Sequence, residues 1–237
     1  MKRNLIVIAF VAFCLATTFA AQADTITQWN FNNQTTAPST GSGSLVLVGG
    51  VIDNSFSLET DATNTSSDPA GTNYTYSTTN YPAQGTASQT AGAEFDVSTA
   101  GYQSISIYFD IRTSNTSSKF YTLQYSTDGF NFINSGIDFT GKGDNWNNGK
   151  VVDLSSIAGV NDNPNFKIRV VSEFDPANNT SYTPAKATST YAQSCKYRFD
   201  MVTVSGVPVP EPSTVILIFA GFSAGLGYLR LRRKHNA

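Results

Sequence analysis

Histidine is almost absent from this 237-residue chain: the single one, His235, stands next to the C-terminus. Everything upstream lacks the side chain that normally titrates near pH 7. That excludes Ser-His-Asp and Cys-His nucleophilic catalysis there, and histidine-ligated zinc as well. Cysteine is nearly as scarce, with Cys14 in an apolar N-terminal stretch and Cys195 alone far downstream. If the segment holding Cys14 is removed, no intramolecular disulfide can form. Cys195 is then expected to be a buried thiol beside the last strand, with an intermolecular bridge as the alternative. No EF-hand spacing occurs. Between the two ends no apolar pattern of 3.6-residue period is sustained, so no long helix is expected there.

Basic residues are scarce in the middle of the chain. Six of the 15, namely Lys2, Arg3, Arg230, Arg232, Arg233 and Lys234, sit at the two ends. Residues 24–212 keep nine, against all 17 acidic residues, which gives that stretch a charge of −8 rather than the −2 of the whole chain. An acidic body disfavours charge-driven binding of nucleic acid or anionic lipid. It suits cations and neutral ligands such as sugars.

What is present begins with the ends. Lys2 and Arg3 precede an apolar run over residues 5–20 and then Ala21-Gln22-Ala23. That is the layout of a secretory signal peptide, residues 1–23, with Ala21 and Ala23 at the cleavage site and the Sec machinery as partner. Phe13 before Cys14 is too bulky for a lipoprotein signal. At the other end Val209-Pro210-Glu211-Pro212 closes a proline-rich linker, 206–212. An uncharged apolar run, 213–229, follows, and as a helix it covers roughly 25 Å, close to the hydrocarbon core of a bilayer. Arg230, Arg232, Arg233 and Lys234 then form a basic stop in a tail, 230–237, that stays cytoplasmic. This order resembles the PEP-CTERM sorting signal of Gram-negative bacteria. The resemblance implies recognition and processing by an exosortase. It also implies a protein exported across the inner membrane, inserted there transiently or retained, and destined for the cell surface or beyond.

The stretch 24–205 reads as one all-β domain. Ser, Thr, Asn and Gly dominate, and β-branched and aromatic residues alternate with polar ones. Strands are expected over 28–32, 45–48, 55–58, 74–78, 104–112, 120–125, 130–133, 151–154, 166–174 and 197–204. Ile105, Ile107, Phe109 and Ile111 give the clearest alternation. Asp128-Gly129 marks a hairpin, a role that accounts for both residues. Loops are expected over 60–90 and 175–194. Strands at this spacing indicate a two-sheet antiparallel sandwich. Trp29-Asn30-Phe31-Asn32, the 125–129 hairpin, Val152-Asp153-Leu154-Ser155 and the closing 198–204 resemble jelly-roll modules of the galactose-binding or carbohydrate-binding type.

Three sets of side chains are candidates for function. Trp146, with Asn145 beside it, and Tyr182 and Tyr191 in the late loop could stack on sugar rings, and capping of the core is the competing role for Trp146. The jelly-roll resemblance implies a structural Ca²⁺ where first and last strands meet, held by Asp200 with Asn30 or Asn32; a plain ion pair of Asp200 with Arg198 or Arg112 competes. Glu173 and Asp175 would share a strand face as a carboxylate pair. The function expected from all this is a non-catalytic, surface-sorted sandwich that binds extracellular polysaccharide. A carboxylate-dependent hydrolase and a purely structural envelope component are the alternatives.

Overall fold

Eleven strands and one 3-10 turn, Ala158–Val160, make up the regular structure of the computed structural model, which describes residues 22–69 and 71–210. The expected signal peptide up to Ala21, the motif residues Glu211 and Pro212, the apolar run and the basic tail lie outside the described residues. No helix among the described residues is long and apolar enough to cross a membrane.

The strands are β1 (Asp24–Trp29), β2 (Ser44–Val48), β3 (Ile52–Leu58), β4 (Tyr74–Thr79), β5 (Gly92–Asp96) and β6 (Tyr102–Thr113). They continue with β7 (Phe120–Ser126), β8 (Ile133–Thr140), β9 (Trp146–Asp153), β10 (Lys167–Glu173) and β11 (Tyr197–Pro208). One sheet runs β3-β4-β11-β6-β9, with β1 also paired to β11; the other runs β2-β5-β10-β7-β8. Every pairing is antiparallel. The pairs β4–β11, β5–β10, β6–β9 and β7–β8 nest inside one another and alternate between the sheets. That nesting is the wrap of a jelly roll, so the expected two-sheet sandwich is the observed fold.

The core follows the period-2 rule. Ile105, Ile107, Phe109 and Ile111 of β6 and Phe199, Val202 and Val204 of β11 point inward from one sheet. Phe95, Leu123, Ile168 and Val170 meet them from the other. Trp29 packs edge-on against Phe95 at 5.0 Å between ring centroids. Cys195 is buried in the same core.

The strand expectations need correction at several points. The first strand ends at Trp29 rather than Asn32, because Phe31 takes a positive φ of 54° and turns the chain. β5 was not expected; Gly92-Ala93 gives little side-chain signal, yet a side chain at Gly92 would collide with the Val170 carbonyl. Only a strand this bare can lie so close to β10. β9 begins at Trp146, five residues before the strand expected over 151–154, so Trp146 is a strand residue.

Candidate functional site

Asp128 builds the tip of the β7–β8 hairpin. Its Oδ1 accepts the N–H groups of Phe130 at 2.9 Å and Asn131 at 2.7 Å, and also the Ser126 hydroxyl. Its Oδ2 accepts the Asn131 amide. These bonds, Asn131's foremost, hold the carboxyl well below the usual carboxylate range. Gly129 supplies the φ of +83° that the turn requires. The tip so fixed presents the Phe130 ring almost wholly to solvent, 87% exposed. Strand β8 starts only at Ile133, three residues later than the sequence pattern suggested.

Beneath that tip lies the outer face of the five-stranded sheet. One row of cross-strand partners runs Val46, Glu94, Arg169, Gln124, Asn134 across all five strands. A second runs Ser44, Asp96, Lys167, Ser126. Glu94 and Gln124 are buried although they point away from the core. Glu94 accepts from Arg169 at 2.5 Å and Lys167 at 3.2 Å, and Lys167 also reaches Asp96 at 3.1 Å. The Arg169 guanidinium lies over the Phe132 ring, 3.4 Å from its centroid, a cation–π contact. At the hairpin end of this face an open groove of about 380 Å³ is bordered by Ser44, Asp96, Ser98, Asn165, Lys167 and Phe130. It combines one exposed aromatic face with hydroxyl, amide and carboxylate groups, of which the Asp96 carboxylate is held by Ser44 and Lys167. Such a surface can stack on a flat C–H face and hydrogen-bond hydroxyls, the usual mixture of a small-ligand site.

No protein-family model matches the chain, and no curated protein matches it either. Among solved structures it is similar to the N-terminal CBM22-1–CBM22-2 tandem domain from Paenibacillus barcinonensis Xyn10C. The likeness has a TM-score of 0.48 at 12% identity and covers 81% of this chain. It covers 49% of the other, so the chain spans about half the length of that structure.

The aromatic residues expected to hold sugar are placed otherwise. Trp146 is 6% exposed; its indole N–H donates to Glu59 at 3.0 Å and its backbone N–H to the Asn64 side chain. The segment that follows β3 folds over this end of the sheet and covers the ring. Asn145 donates its amide to the carbonyls of Lys142 and Gly143, which stabilises its own turn. Tyr182 and Tyr191 stack on each other at 4.6 Å, and both are buried. Their hydroxyls donate to the carbonyls of Thr86 and Pro82. None of the three rings offers a free face.

The calcium trio is not assembled. Asn30 Oδ1 accepts the Asn32 N–H, and Asn32 spends its own amide on Tyr74 N–H and Asp68. Asp200 accepts the Ser66 hydroxyl and the Met201 N–H. It makes no pair with Arg198 or Arg112, which both go to Glu59. Among the described residues no three His, Cys, Asp or Glu side chains converge on one point. Burial therefore pushes the Asp200 carboxyl up to about 8, so it is held mainly as the neutral acid at pH 7.

Glu173 and Asp175 also part. Asp175 caps its own turn through Ala177 N–H and takes the Thr183 hydroxyl. Glu173 takes the Gln89 amide and leans toward Asp138; burial, then that neighbour, raises its carboxyl above the usual range. Val209 and Pro210, at the edge of the described residues, continue from β11, and Val209 N–H donates to Gly101.

Phe130 was legible only as a strand residue. The signal that could have singled it out is Asp128-Gly129-Phe130-Asn131, because an Asp that caps two following N–H groups leaves the intervening side chain pointing outward.

Proposed function

We propose that this chain is an exported, exosortase-sorted, non-catalytic β-sandwich that binds polysaccharide on the outer face of its five-stranded sheet. Phe130 carries the proposal. A rigid hairpin tip holds a large aromatic ring in water beside a polar groove, and this exposure does nothing for the core. Stacked on a sugar, that ring would lose unfavourable contact with water. Glu94, Arg169 and Lys167 already satisfy one another, so a neutral glycan could approach without leaving a buried charge unpaired. Export and sorting rest on the two ends of the sequence: the charged, apolar, small-residue head and the Pro-Glu-Pro, apolar, basic tail.

The experiment has two parts. The protein's mass and location are compared in producing cells with and without exosortase. Loss of the C-terminal segment only when the enzyme is present supports sorting, and an intact tail in normal cells refutes it. Retention on the same cells' exopolysaccharide is then measured for wild type and Phe130→Ala. Retention that the substitution abolishes supports the binding face; no retention by either leaves a purely structural envelope component.

A further inference from the structure

The charge of −8 conceals a segregation. No lysine or arginine occurs between Arg3 and Arg112. Of the nine in residues 24–212, five border two adjoining hollows at one end of the other sheet: Arg112, Lys142, Lys186, Lys196 and Arg198. The larger hollow, about 460 Å³, has Asn115, Lys142, Asn145 and Lys186 in its wall. The smaller, about 40 Å³, is bordered by Arg112, Ser114, Lys196 and Arg198. Asp144 borders both and is the sole acidic residue to do so.

The fold builds this arrangement. Arg198 and Arg112 are cross-strand partners on β11 and β6, and Trp146 follows on β9. The buried Glu59 carboxylate lies over the row. It accepts from Arg198 at 2.9 Å, Arg112 at 3.5 Å and the Trp146 indole at 3.0 Å. One carboxylate thus fixes two guanidinium groups, each through one nitrogen, and their other side-chain N–H donors meet no acceptor among the described residues. The ammonium groups of Lys142, Lys186 and Lys196 pair with no carboxylate among the described residues, and all three side chains are exposed.

We infer that this end of the molecule binds an oxyanion carried by a polysaccharide, either the carboxylate of a uronate or a sulfate ester. The small hollow, about 40 Å³, has room for a group of only a few heavy atoms and presents planar Arg donors suited to an oxyanion. The larger hollow beside it can take the attached sugar ring. Nucleic acid is disfavoured because three unpaired lysines fall short of the six or so phosphate contacts of typical binders. At physiological salt, charge acts over about 8 Å, so the local cluster outweighs the distant acidic surface. This site lies on the opposite sheet from Phe130 and stands independently of that face.

The test uses the full chain in detergent, passed over immobilised polygalacturonate, dextran sulfate, neutral dextran and DNA. Retention is expected on at least one of the two acidic polysaccharides, exceeding that on dextran and on DNA, and lost between about 50 and 500 mM salt. Lys142→Gln/Lys186→Gln/Lys196→Gln should weaken it on the order of tenfold without shifting the thermal midpoint. Asp144→Asn should strengthen it, since Asn keeps the positive φ of that residue and removes the opposing charge. Retention that neither variant changes, absence of retention on both acidic polymers, or equal retention on DNA would each overturn the inference.

Discussion

Asp110 of β6 and Asp200 of β11 are cross-strand partners, and both side chains are buried beneath the loop that carries Ser66 and Ser67. Asp110 accepts two backbone N–H groups, from Ser67 and Gly149. Asp200 beside it is pushed up to about 8, first by burial and then by Asp68 and Asp110. Asp200 is thus held mainly as the neutral acid at pH 7.

A pH dependence follows from the raised Asp200 carboxyl. Asp200 titrates higher in the fold than its ordinary value of 3.8. Its contribution to stability is complete below that value and is lost as pH rises through about 8. Wild-type protein should lose on the order of a few kcal/mol between pH 5 and 9. Asp200→Asn should flatten the curve and be the more stable of the two at pH 9. Thermal midpoints at pH 5, 7 and 9 measure this. Identical profiles for the two proteins would show that Asp200 is ionised throughout. Added calcium should shift neither midpoint.

Trp146→Phe separates packing from recognition. The substitution deletes the indole N–H that meets the buried Glu59 carboxylate, leaving that acceptor short of a donor at a cost of about 1–3 kcal/mol. Urea unfolding should register the loss. Affinity for neutral glycan at the Phe130 face should be unchanged, and a matching loss of affinity would return Trp146 to the binding site.

Cys195 should be chemically silent. Burial raises its thiol to about 12, and reactivity depends on the thiolate. Alkylation at pH 8 should be negligible in the folded protein and fast in denaturant. Rapid labelling or a disulfide-linked dimer under native conditions would contradict this placement.

Much of the sandwich could be read in advance because its information is local. The alternation from Ile105 to Ile111 fixes a strand and its inner face, and Asp128-Gly129 fixes a turn. What was hidden depends on distant partners. Trp146 is buried by Glu59 and Asn64, more than eighty residues earlier in the chain, so no window around Gly143–Asn148 could show its burial. β5 is a strand because β2 and β10 flank it, not because Gly92 and Ala93 favour one. The basic cluster joins residues from Arg112 to Arg198 that only the β6–β11 register brings side by side. Net charge, the one electrostatic quantity the sequence states directly, pointed away from it.

The binding face stands or falls on one ring. Isothermal titration of the full chain with soluble exopolysaccharide from the producing cells should give measurable affinity for wild type. Phe130→Ala should reduce it at least tenfold, Phe130→Trp should preserve or raise it, and all three proteins should unfold at the same temperature, because Phe130 touches no core residue. Equal affinity of wild type and Phe130→Ala for that glycan would contradict the account.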